Sequence, residues 1–185
     1  MATYYELVIK GDDRDLIPYL AGYLTAEGVD GVYFAEESGL HVHALRERIK
    51  HHGEVQHVVC TKQSLAIVLE ALEDAAPRYR FEVVEQRALA SASFRFKVET
   101  PSRKIAQEVK DIVAKCRRGV EVEGYSPSET VSAEGAGAEI YSPMHDYKFE
   151  ASAAVSGDVA RVIEMRKALG AIDFVDCEEI DLHAA

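Results

Sequence analysis

The chain has 185 residues, of which 32 are acidic and 21 are basic, so its formal net charge is −11. A surface of that charge repels phosphate backbones and anionic lipids, so we expect neither nucleic acid nor a membrane surface as a partner. Apolar residues make up 48% of the chain, and no apolar run approaches the roughly 18 residues that cross a bilayer. The N-terminal residues enter a strand pattern directly and lack a signal-peptide pattern. These features predict a soluble, cytoplasmic protein.

The cysteines and glycines do not form a known cofactor motif. Cys60, Cys116 and Cys177 are odd in number and widely spaced, which disfavours a disulfide framework or a structural zinc site. The chain contains neither GxxxxGK[ST] nor GxGxxG, the glycine patterns that hold nucleotide phosphates. We therefore predict no cofactor.

The first half of the chain alternates strand and helix patterns. Tyr5, Leu7 and Ile9 recur at every second position and predict a strand. Apolar residues at helical spacing follow from Leu16 to Leu24, and Gly28 ends that helix. The remaining predicted elements are strands at 29–36, 55–60 and 80–86 and a helix at 65–76. Within the segment 40–53, His41 to His43 could form a returning strand and Leu45 to His52 could form a short helix that Gly53 ends.

The second half repeats this order and opens with the clearest unit, Ser93 to Gly119. Phe94, Phe96 and Val98 alternate with charged residues, Thr100-Pro101-Ser102 breaks the strand, and apolar residues at helical spacing then run to Cys116. Further strands are predicted at 120–123, 147–155 and 174–182, with a helix at 159–169. The residues between them, 124–146, read as a long hairpin or loop.

Each half therefore has the order β-α-β-β-α-β, which is that of the ferredoxin-like, split βαβ arrangement. We predict an α+β protein built from two tandem ferredoxin-like halves, 1–90 and 91–185, each an antiparallel sheet with helices on one face. Tyr4, Glu6, Val8 and Lys10 form a mixed second face in the first half, whereas Arg95, Lys97 and Glu99 form a polar one in the second. We expect the first face to be the likelier partner surface.

The loop 124–146 is the main candidate site, because aperiodic segments of that length are often functional. It contains two Tyr-Ser-Pro triplets, the second followed by Met-His-Asp-Tyr. The candidate ligand-binding residues are Tyr125, Tyr141, Ser142, His145, Asp146 and Tyr147. His145 beside Asp146 could serve as an oriented base and Ser142 as an activated hydroxyl. The competing interpretation is a long β-hairpin whose tyrosines pack on the sheet.

Histidines are concentrated between 41 and 57, where five of the seven lie. On a strand His41 and His43 point to one face, and His57 lies on a strand that could pair nearby. Imidazole suits zinc, copper or nickel, so these three are candidate metal ligands. No HxxxH spacing supports them, and surface histidines are the alternative.

The chain shows no nucleophile elbow or paired carboxylates, which favours a non-catalytic module that binds a small ligand, regulates or contacts a protein. We expect a small-molecule ligand and either a homo-oligomer or another protein as partner. The alternatives are a small enzyme that uses the 141–147 segment and a metal-binding protein that uses His41, His43 and His57.

Overall fold

The structure is a computed structural model that describes residues 3–11, 15–34, 55–133 and 145–185. Of residues 132, 133, 145 and 146 it describes the backbone only. The chain divides into two compact units, unit 1 (Met1–Ala92 with Glu179–Ala185) and unit 2 (Ser93–Glu178).

The described elements are strands and helices in a mixed α+β order. They are β1 (Tyr4–Gly11), α1 (Leu16–Ala26), β2 (Val32–Phe34), β3 (Val55–Thr61), α2 (Lys62–Ala75), β4 (Phe81–Thr100), α3 (Arg103–Cys116), β5 (Val120–Glu123), β6 (Ser128–Ala133), β7 (His145–Gly157), α4 (Val159–Gly170), β8 (Val175–Cys177) and β9 (Asp181–Ala184).

Unit 1 is a sheet with the strand order β2-β3-β1-β4, to which β9 adds by pairing with β4. The pairs β1–β3, β1–β4 and β2–β3 are antiparallel. Leu7 and Ile9 lie two positions apart on β1, so they share one face of the sheet. They pack in a buried core with Val58 and Cys60 of β3 and with leucines of α1 and α2. This core holds both helices against that face.

A side-chain cap fixes the start of α2. Thr61 Oγ1 accepts a hydrogen bond from the Ser64 amide at 3.2 Å, which satisfies one of the helix's otherwise free N–H groups. Ser64 Oγ lies 2.9 Å from the Asp30 carbonyl and donates to it. The cap therefore also fastens the segment before β2 to the helix.

Unit 2 is built around the last part of β4, which pairs with β7 on one side and with β8 on the other. β5 and β6 both pair antiparallel with β7, one after the other along its length. Alternate side chains of β4 (Phe94, Phe96, Val98) and of β7 (Phe149, Ala151, Ala153, Val155) are buried. Val109 and Val113 of α3 and Val162 and Ile163 of α4 are buried as well.

The structure changes three of the predicted boundaries. The strands predicted at 80–86 and after Ser93 are one strand, β4, of 20 residues. Its middle is rich in alanine and serine, which have low strand propensity and give little hydrophobic contrast, so the sequence there carries no clear strand pattern. The strand predicted at 174–182 is divided into β8 and β9, with Phe174 at φ 68° just before β8.

The third change concerns 124–146, where β6 pairs with the first half of β7 from Ser128↔Glu150 to Ala133↔His145. The described residues at the two ends of this segment therefore pair as antiparallel strands, as the hairpin interpretation expects. The ambiguous residues 40–53 lie outside the described part of the chain.

The face of β1 that we expected to contact a partner is mostly buried. Tyr4 is 8% exposed and Glu6 and Val8 are 0% exposed, so these three side chains are buried. In unit 2 the prediction of a polar face is confirmed, since Arg95, Lys97 and Glu99 are all exposed. Across the described residues, no helix has both the length and the apolar character needed to traverse a bilayer.

Candidate functional site

A groove of about 440 Å³ lies on the polar face of unit 2, and we name it the sheet groove. It is lined by Arg95, Phe96, Lys97, Glu123, Gly124, Ser152, Ala153, Ala154, Asp176 and Glu178. These residues come from four places in the chain: β4, the end of β5, the middle of β7, and β8 with the residue after it. Only strand pairing brings them together.

Register places the polar members of the groove on one face. Lys97 of β4 lies directly opposite Asp176 of β8, and Glu123 of β5 lies opposite Ala154 of β7. Lys148 of β7 forms an ion pair with Glu99 of β4 at 2.9 Å. Since directly opposed residues share a face and side chains alternate along a strand, the polar face continues across β5, β7, β4 and β8.

This face differs from the one that α3 covers. The Arg103 guanidinium of α3 lies 5.2 Å from the ring centroid of Tyr147, and the Lys110 ammonium lies 5.3 Å from that of Phe149. Odd-numbered residues of β7 therefore face α3, whereas Ser152 and Ala154 point to the opposite side. The groove is open because no described helix covers that side.

The charges in the groove are arranged as a cationic centre between two acidic sides. Arg95 and Lys97 lie on the central strand, Glu123 lies on one side, and Asp176 and Glu178 lie on the other. Neither Arg95 nor Lys97 forms an ion pair with another described residue. The site can therefore offer two cations and several carboxylates to a small polar molecule.

Beside the groove, by contrast, the charges are already paired. Lys148 lies 2.8 Å from Glu150 and 2.9 Å from Glu99. Its hydrogen bonds to Glu150 and Glu99 raise the pKa of the Lys148 ammonium, and the bond from Lys148 lowers the pKa of Glu99. These exposed pairs stabilise the charged forms, so the ammonium of Lys148 already has two carboxylate partners.

Two of the sequence-predicted site residues contact the α3 side of unit 2. Tyr125 follows β5, and its ring centroid lies 6.4 Å from that of Phe96. Its hydroxyl is buried and has no hydrogen-bond partner among the described residues, and burial raises its pKa although the charges of Lys110 and Arg117 oppose the shift. Tyr147 lies under Arg103, as given above. Both tyrosines thus contact the packed side of the sheet.

The other predicted loop residues are described in part or not at all. The backbones of His145 and Asp146 belong to β7, where they pair with Ala133 and Ser132. Tyr141 and Ser142 lie outside the described residues. A shared site for these four residues with Tyr125 and Tyr147 stays a prediction.

Of the three predicted metal ligands, His57 is described and His41 and His43 are outside the described residues. His57 is 8% exposed, and its Nδ1 lies 2.9 Å from Glu6 Oε1. The other oxygen of Glu6 accepts a hydrogen bond from Arg87 Nε. Within the described ranges, no three His, Cys, Asp or Glu side chains are grouped as metal ligands. His57 therefore takes part in a buried ionic cluster.

The groove residues were not predicted as a site from the sequence. Arg95 and Lys97 were recognised as a polar face, but Asp176 and Glu178 are about 80 residues away along the chain, and only register pairs them. The sequence signal for these residues is that polar side chains occupy every second position of each strand. That signal does not show which strands are neighbours.

Comparisons with known proteins give no family. No protein-family model matches the chain, and no curated protein matches it. Among solved structures, an unknown protein from Galdieria sulphuraria is 17% identical with TM-score 0.31, covering 100% of this chain and 98% of its own. The ligand-free regulatory subunit of aspartate kinase from Thermus thermophilus is 11% identical with TM-score 0.28, covering 93% of each chain.

A third similar structure is the CRISPR-associated protein Cas6e from Escherichia coli str. K-12, at 12% identity and TM-score 0.31, covering 98% of this chain and 100% of that one. These scores are too low to transfer a function. The site must be interpreted from its own geometry.

Proposed function

We propose that this chain is a non-catalytic regulatory module that binds a small polar ligand in the sheet groove. The observation that carries the proposal is the placement of Arg95 and Lys97, which form no ion pair with a described residue, at the centre of a concave site with carboxylates on both sides. A volume of about 440 Å³ falls within the range of small-molecule pockets.

The charge pattern supports a ligand that carries both signs. A carboxylate or phosphate group would interact with Arg95 and Lys97, and an ammonium group would interact with Glu123 on one side or Asp176 on the other. Ala154, which is half-buried on the groove side of β7, adds apolar surface for the carbon skeleton. A free amino acid has this combination of groups and this approximate size.

The fold that we propose for this module is a pair of ferredoxin-like halves. In unit 1 the strand order β2-β3-β1-β4 follows elements in the sequence order β-α-β-β-α-β. In unit 2 the corresponding order is β5-β7-β4-β8, with β6 as an extra strand on β7. The parallel between these two orders supports a tandem arrangement.

The test is a thermal-shift screen of the whole chain with each of the twenty free α-amino acids, followed by calorimetric titration. A molecule that binds only the native state raises the melting temperature by mass action. We expect at least one member to do so, and we expect Arg95→Gln to weaken its binding about tenfold, equivalent to about 1.4 kcal/mol.

The matched control is Arg78→Gln, because Arg78 is an exposed arginine of unit 1 that does not line the groove. Its binding should equal that of the unmodified chain. The proposal is wrong if no amino acid raises the melting temperature at millimolar concentration, or if both variants bind equally well.

The other partners and activities remain proposals with less support. The sequence leads us to propose a homo-oligomer or a protein partner as well. Light scattering on the purified chain measures the oligomeric state. Catalysis by the 141–147 segment and metal binding through His41, His43 and His57 likewise stay predictions.

A further inference from the structure

A second concave site of about 320 Å³ lies between α3 and α4 of unit 2, and we name it the helix pocket. It is lined by Ile112, Lys115, Cys116, Arg118, Arg161, Glu164 and Ala168. The spacing of Ile112, Lys115 and Cys116 on α3 places them on one stripe of that helix, and Arg161, Glu164 and Ala168 do the same on α4. The pocket shares no residue with the sheet groove.

The helix pocket combines an apolar interior with a cationic rim. Ile112, Cys116 and Ala168 are half-buried, whereas Lys115, Arg118 and Arg161 are exposed. Three cations and one acid line this pocket, although the whole chain carries a net charge of −11. Charge complementarity therefore favours an anion.

The helix dipole explains the positions of two of these cations but not that of the third. Lys115 and Arg118 lie at the C-terminal end of α3, where positive side chains stabilise the helix dipole. Arg161 lies in the first turn of α4, where a cation opposes the dipole. Its exposed ion pair with Glu164, at 3.0 Å, contributes little.

Gly119 allows Arg161 to approach the end of α3. A Cβ atom at residue 119 would lie 3.3 Å from Arg161 Cγ, and the backbone φ of 102° is one that side-chain-bearing residues rarely adopt. The arginine stem therefore passes close over the turn after α3. The positive charge from both helices is gathered at this end of the pocket.

We propose that the helix pocket binds a small organic anion, with its hydrocarbon part on Ile112, Cys116 and Ala168 and its carboxylate at Lys115, Arg118 and Arg161. The apolar interior excludes a bare inorganic ion as the preferred ligand, and the rim rejects a cation of the same shape. This site acts independently of the sheet groove.

Three probes separate the contribution of the apolar interior from that of the cationic rim. They are octanoate, acetate and octylammonium. Cys116 provides a local readout, because a ligand in the pocket covers it and slows its alkylation by N-ethylmaleimide. Cys177 lies outside the pocket and serves as the internal reference, with both sites measured by peptide mass spectrometry. We expect octanoate to slow alkylation of Cys116 about tenfold and to leave Cys177 unchanged.

Acetate and octylammonium at the same concentration should not protect Cys116. The double variant Lys115→Glu, Arg118→Glu should lose the octanoate effect, and it should remain folded because both side chains are exposed and each gives up only a weak interaction with the helix dipole. Lys104→Glu, an exposed change on α3 outside the pocket, should retain the effect.

Equal protection by octanoate and octylammonium, or unchanged protection in the double variant, would overturn the proposal. Arg95→Gln should not alter this protection. The experiments therefore distinguish failure of the binding proposal at the sheet groove from failure of the binding proposal at the helix pocket.

Discussion

At the scale of single residues, the most consequential feature is the carboxylate of Glu6. It is 0% exposed and accepts hydrogen bonds from His57 and Arg87, on the two strands that flank β1. Arg87 also donates to the Leu182 carbonyl at 3.4 Å. A buried charge is tolerated only when it is paired and hydrogen-bonded, so these partners explain why an acid lies within the sheet.

Glu6→Gln should lower the free energy of unfolding by about 3 kcal/mol, because it leaves Arg87 without its anionic partner in a largely buried setting. Urea denaturation measures this difference. Glu82→Gln is the control, since Glu82 is exposed on β4 and should change the stability by less than about 0.5 kcal/mol. Equal effects of the two substitutions would contradict the role given to the cluster.

The same carboxylate gives a pH dependence of defined sign. Burial by itself would raise the pKa of Glu6, but the hydrogen bonds from His57 and Arg87 and their charges lower it below the ordinary value of 4.5. The stability that Glu6 contributes is therefore complete above pH 4.5 and is lost as the pH falls through the folded-state pKa. The stability gap between the unmodified chain and Glu6→Gln should narrow below pH 4.5, and a gap that widens there would refute this sign.

At the scale of elements, close backbone approach requires glycine at the end of β7. Gly157 has φ 143°, and a Cβ atom there would lie 2.8 Å from the Gly119 carbonyl oxygen. Val120, the first residue of β5, pairs with Gly157, the last residue of β7. The two strands therefore approach closely at this end. The turn into α4 depends on the absence of a side chain at this position.

Gly157→Ala should destabilise the chain by about 2 kcal/mol, because it adds both a clash and a strained φ. Gly22→Ala is the matched change: Gly22 lies within α1, where a Cβ atom would meet nothing within 4 Å. It should stabilise the chain by about 0.5–1 kcal/mol through the lower conformational entropy of the unfolded state. Melting curves of the two variants should shift in opposite directions, and a shared direction would argue against this explanation.

At the scale of the whole molecule, the C-terminal residues return to the unit that contains the N-terminus. β9 pairs with β4, and the Ala185 amide donates to the Ala88 carbonyl at 3.0 Å. Ile180 is 0% exposed and Leu182 is 7% exposed. The first and last segments of the chain therefore stabilise one unit together.

A chain ended after Glu178 should lose amide protection in β4 around Ala88 while keeping it in α3. Removing β9 exposes one edge of β4 and uncovers the side chains beneath Ile180 and Leu182. Hydrogen exchange with peptide resolution measures both regions at once. Uniform loss across the two would indicate global destabilisation, and no change around Ala88 would contradict the role of β9.

Much of the local structure followed from the sequence because hydrophobic periodicity reports which face of an element is buried. The strand around Leu7 and Ile9 and the helix that follows Ser102 were predicted on that basis, and the mixed α+β fold with antiparallel pairing agrees with them. Periodicity failed in the alanine- and serine-rich middle of β4, where small residues give no contrast between faces.

Tertiary structure alone decided what the polar residues do. Alternation identified Glu6, Arg95 and Lys97 as members of a second face, but it could not say that one would be buried in an ionic cluster and that the others would line a groove. That outcome depends on strand neighbours and register, which join residues such as Lys97 and Asp176 that are far apart in the chain. Local patterns record burial, whereas a site requires the positions of non-local neighbours.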